Sequence, residues 1–161
     1  MSRKGTAAAA EGSGTEAADT ERYRAIRAGL RWVLAGFMLV AGIMHFAATE
    51  SFLGQVPTWL PQRTLIVYAS GVVEIAFGLA LLLARGHRRQ VGWALAGFFV
   101  LVFPGNVYQA VAGTDAFGLD TPGARWLRLA FQPVLILWAL WATGAIPVRR
   151  GSAGPRRDAR S

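Results

Sequence analysis

Six polar side chains lie inside otherwise apolar runs of this chain: His45, Glu74, Asn106, Gln109, Arg128 and Gln132. Their types define a chemistry. Glu74 and His45 are the two that can exchange protons with a bound group. Asn106, Gln109, Arg128 and Gln132 can donate hydrogen bonds to a carbonyl or an anion. Spacing groups them further. Ser70, Glu74 and Gly78 recur every four residues and share a helix face. Asn106 and Gln109 are three apart, Arg128 and Gln132 four apart, so each pair shares a face as well.

The runs that carry these residues are long enough to cross a hydrocarbon core, which takes roughly 20 apolar residues in a helix. They extend from Trp32 to Ala48 with a helical lead-in from about Ala28, from Leu65 to Leu83, from Val91 to Ala112, and from Trp126 to about Ile146. A soluble bundle would show polar faces at helical period, and these segments do not. Hydrophobic residues make up 53% of the 161-residue chain and charged residues only 16%, and of nine acids only Glu74 falls within an apolar run. The reading is an all-α, four-transmembrane-helix bundle over residues 28–147. It is flanked by a polar, disordered tail (1–27) and a basic tail (148–161).

The net charge of +8 sits at the ends of the runs. Arg22, Arg24, Arg27 and Arg31 precede the first span, and Arg85, Arg88 and Arg89 join the second to the third. Arg149, Arg150, Arg156, Arg157 and Arg160 follow the fourth. The other two connections hold Arg63 and Arg125 beside Glu50, Asp115 and Asp120. This alternation is the positive-inside pattern and predicts both termini in the cytoplasm of a bacterial inner membrane. Basic ends of this kind fit anionic lipid headgroups, not nucleic acid.

With that orientation, a rise of about 1.5 Å per residue puts His45 roughly 5 Å and Glu74 about 15 Å below the outer surface. Asn106, Gln109, Arg128 and Gln132 fall in the outer thirds of their spans. Converging faces would give a dry inner half and a polar outer pocket, with Ala41 as a small surface on the first span that another helix could approach. Pro104 and Pro133 lie in the same layer and free the carbonyls of Val100 and Leu129, and Gly105 favours a local break there. A charge at the bilayer centre costs about 2.5–3.5 kcal/mol on insertion scales, so Glu74 must be neutral, paired or solvated. A Glu74–Arg128 pair, or a protonated Glu74 bonded to Asn106 or Gln132, would lock the bundle. A pocket would use the same groups for a ligand.

Several chemistries are excluded. The chain has no cysteine, so thiol catalysis and thiolate metal sites are absent. His45 and His87 lie at opposite ends of the spans and cannot share a haem, and no cluster has metal-ligand spacing. No Gly-rich phosphate loop follows a strand, and no serine or threonine has a base positioned for acyl transfer.

The ordered pieces "GIMHF", "VPTWLP", "SGVVEIAFGLALLL", "FPGNVYQ" and "RLAFQPVLILWALW" resemble the DoxX-like family of small bacterial four-helix membrane proteins, over about residues 30 to 145. The resemblance implies an integral membrane protein with His45, Glu74, Asn106, Arg128 and Gln132 as the family's polar residues. It also implies association with quinone-linked redox or oxidative-stress complexes. The leading expectation is the membrane subunit of such a complex, with quinone as the group bound, no cofactor held by the chain itself, and a redox partner or a homo-oligomer around it. A proton-coupled transporter acting as an oligomer and a membrane scaffold are the competing expectations.

Overall fold

In the computed structural model, residues 3–114 and 121–146 are described, the side chains of 3–17 excepted. The 115–120 connection and the 148–161 tail lie outside the described residues. The helices are α1 (Arg3–Ala47), the short α2 (Thr49–Leu53), α3 (Arg63–Leu83), α4 (Arg88–Ala112) and α5 (Pro122–Thr143), with one 3₁₀ turn at Arg85–His87. Four stretches are long and apolar enough to cross a membrane: Ala18–Ala47, Arg63–Leu83, Arg88–Ala112 and Pro122–Thr143.

α1 begins at Arg3, well ahead of Ala28, where the apolar pattern starts. Residues 20–31 hold four Arg, two Ala, one Glu and one Leu, all good helix formers. The extension also has tertiary support, since Tyr23 packs edge-on against Trp141 of α5 with ring centroids 5.6 Å apart.

Two helix pairs make the bundle, α1 with α3 and α4 with α5, and contacts between the pairs are far fewer. Close approach within each pair depends on glycine. A Cβ on Gly42 would come within 2.7 Å of the Gly71 carbonyl oxygen and of Ile75 Cγ1, and one on Gly78 within 2.7 Å of Leu39. Gly92 plays the same part against Thr143 between α4 and α5. The small contact on α1 is therefore Gly42, while Ala41 turns toward the space between the pairs.

Leu34, Met38, Leu81, Leu95, Phe99 and Ala139 fill one half of the bundle with apolar side chains. All the buried polar residues singled out from the sequence lie in the other half, so the dry and polar halves are both present. Neither Pro104 nor Pro133 breaks its helix. Gln132 Nε2 donates a 2.7 Å bond to the Phe99 carbonyl on α4, next to the Val100 carbonyl that Pro104 frees.

Candidate functional site

The space between the two helix pairs opens into a cleft of about 1090 Å³ in the polar half. Its walls include His45, Glu74, Asn106, Arg128 and Gln132. Gln109, the sixth residue, is 1% exposed and stands behind Arg128. The volume is at the upper end for small-molecule sites, and the lining is largely apolar with a few polar groups at one end, as such sites are.

His45 and Glu74 meet at the α1–α3 contact. Gly71 makes this possible, because a Cβ there would lie 2.7 Å from His45 Cβ. His45 Nδ1 is 2.9 Å from the Ala41 carbonyl oxygen and 3.4 Å from Glu74 Oε2. A carbonyl can only accept, so Nδ1 carries a proton and donates it to Ala41. The longer approach to Glu74 is then an electrostatic contact, not a hydrogen bond, and Oε2 is buried with no protein hydrogen-bond partner. The imidazole is buried and covered by the Phe52 ring, centroid to centroid 3.7 Å.

Across the cleft, Arg128 donates from Nη1 to Gln109 Oε1 at 3.3 Å and from Nη2 to Gln55 Oε1 at 2.9 Å. Glu74 feels the guanidinium through its charge, but among the described residues its ion-pair contact is with His45. Neither form of lock expected for Glu74 is made. Asn106 Nδ2 donates instead to Gln132 Oε1 at 3.2 Å, and Gln132 continues to Phe99. Because a guanidinium has donors only, the amide oxygens of Gln55 and Gln109 must face it, which fixes both amide orientations. The Nε2 groups of both glutamines are buried without a protein acceptor.

Gln55 was not among the residues the sequence singled out. It sits in the α2–α3 connection, where an amide reads as a surface residue. That connection is folded onto the bundle end. Arg63 donates to the Val56 carbonyl at 3.1 Å and to the Leu53 carbonyl, and Thr114 Oγ1 donates to the Gly54 carbonyl at 2.7 Å. The Gln55 carbonyl rests on Gly105, where a Cβ would come within 3.0 Å. Gly105 therefore serves as a seat for this loop, not as a break in α4. Phe52 of α2, just ahead of this connection, covers His45. Among the described residues no group of His, Cys, Asp or Glu could hold a metal ion.

Residues 34–143 match the model of a family described as a domain of unknown function (DUF8561), and the chain belongs to that family. The matched stretch contains every residue of the site, and the description names neither the DoxX-like family nor an activity. No curated protein and no solved structure matches the chain.

Proposed function

We propose that this member of the family binds a small polar or quinone-like head group in its cleft, as the membrane subunit of a quinone-linked redox or oxidative-stress complex. One observation carries the reading. Two polar atoms on the cleft-lining residues are buried and have no protein hydrogen-bond partner: Glu74 Oε2, an acceptor, and Gln55 Nε2, a donor. A layer that merely locked helices together would leave such atoms paired, since each unpaired one costs about 1–3 kcal/mol. A head group offering a donor to Glu74 and an acceptor to the Arg128–Gln55 side would satisfy both.

In this reading Arg128, Gln55, Asn106 and Gln132 orient the head group, with Gln109 holding Arg128 from behind. Glu74 and His45 exchange protons with it. The chain supplies no electron carrier, so electrons come from a redox partner. The DoxX-like resemblance supports the same assignment. The arginine pattern favours a bacterial cytoplasmic membrane with both termini inside, which puts the cleft in the outer half.

The test is to purify the full chain in mild detergent and identify by mass spectrometry the small molecule that accompanies it. A quinone, lost on Glu74→Leu, is expected. Lipid alone, unchanged by that substitution, would refute the reading.

A further inference from the structure

Among the aromatic residues of the cleft wall that the head-group reading leaves without a role are Phe37 on α1 and Phe131 on α5. Their place on the helices is informative. The edge of α1 that meets α3 carries Ala35, Leu39 and Gly42. At 100° per residue, Leu30, Phe37 and Met44 then share the edge that faces α5. The Leu30 carbonyl accepts from Trp138 Nε1 of α5 at 3.2 Å, as this requires. About one turn back Arg27 lies against Gly144, and about two turns back Tyr23 meets Trp141. The α1–α5 seam is thus closed from Tyr23 to Leu30.

Phe37 follows Leu30 by seven residues, and Phe131 precedes Trp138 by seven. These helices run antiparallel, so both phenylalanines stand at one level, about 10.5 Å beyond the sealed pair. Here the seam is open. Phe37 is 45% and Phe131 48% exposed while both line the cleft. Met44, the next residue on the same edge, also lines the cleft and is 40% exposed. In a chain whose helices cross a bilayer, this exposure faces lipid.

We infer that the α1–α5 seam at Phe37 and Phe131 is a lateral portal by which the cleft takes a bilayer-dissolved amphiphile. The head group lies at Glu74 and Arg128, and a single apolar chain leaves between the two phenylalanines. The inference rests on the head-group reading and adds the class of ligand and its route. Polar groups occupy only one end of the cleft, and the remaining wall is apolar. A chain arriving from lipid exchanges one apolar surrounding for another. A solute arriving from water would give up hydration along that wall and gain no polar partner for it.

The competing opening is on the α3–α4 side, where Ile66 and Leu101 also line the cleft and are exposed. A single experiment separates the cases. The full wild-type chain is placed in vesicles of phosphatidylcholine and phosphatidylglycerol with decylubiquinone bearing a diazirine at the chain end. It is photolysed, and labelled peptides are mapped by mass spectrometry, with and without excess unlabelled decylubiquinone. Label on Phe37, Met44 or Phe131 that the excess abolishes is the expected result. Abolishable label confined to Ile66 or Leu101 would overturn the portal and leave the head-group reading standing. Label that excess decylubiquinone never reduces would overturn both.

Discussion

Glycine at position 42 sets how closely α1 and α3 approach, and through that contact it sets the position of His45 against Glu74. A Cβ built there lies 2.7 Å from the Gly71 carbonyl oxygen, 2.7 Å from Ile75 Cγ1 and 2.9 Å from the Ile75 amide nitrogen. Two of these atoms are backbone and cannot rotate away, so Gly42→Ala must push the helices apart by roughly 0.7 Å to reach ordinary contact near 3.4 Å. Overpacking that moves backbone costs about 1–3 kcal/mol, and the rigid neighbours put this site toward the upper end. Alanine returns up to about 1 kcal/mol in helix propensity, which leaves a net loss of roughly 2 kcal/mol. Gly97 is the control, because a Cβ there meets nothing within 4 Å. Gly97→Ala should be neutral or stabilising by up to about 1 kcal/mol. Unfolding both variants in mixed micelles against wild type reads the difference. Gly42→Ala as stable as Gly97→Ala would refute the glycine contact and the placement of His45 that depends on it.

Glu74→Gln should keep the fold and bind the head group with a flat pH profile, because the amide preserves shape but cannot titrate; a variant whose binding follows the wild-type pH curve would retire Glu74 as a proton site. Arg128→Met should leave the amide oxygens of Gln109 and Gln55 without their donor and destabilise the protein by about 1–3 kcal/mol, measured by thermal unfolding in detergent. Adding Gln109→Leu should recover part of that loss, and no recovery would argue against the Arg128–Gln109 bond. Reporter fusions after Gly86 and after Thr114 should read cytoplasmic and external respectively; the reverse pattern would invert the orientation.

Depth was legible in the sequence, and partnership was not. Glu74, Asn106, Arg128 and Gln132 could be put in one layer because helical rise converts residue number into height with little error. Rotation and partner choice depend on which neighbours a helix meets, and these come from small contacts that leave only a weak mark. Ala41 and Gly42 are adjacent small residues, and either could have been the close-approach surface. The choice of Gly42 turns Ala41 to the cleft and gives its carbonyl to His45. That choice brings His45 beside Glu74. Charge arithmetic had favoured Arg128 for that place.

The remaining difference follows from the connection between α2 and α3. Sequence reading treats this proline-bearing stretch as a link outside the membrane helices, and here it also reaches the cleft. Arg63, Thr114 and Gly105 hold it down over the bundle end. α2 brings Phe52 against His45 on one side of the cleft, and the connection brings Gln55 to Arg128 on the other. Gln55 takes one Arg128 donor. The guanidinium is thereby held between two amide oxygens, and the carboxylate keeps an acceptor atom free of protein donors. The hold on the guanidinium therefore depends in part on a loop residue whose role no helix pattern could have signalled.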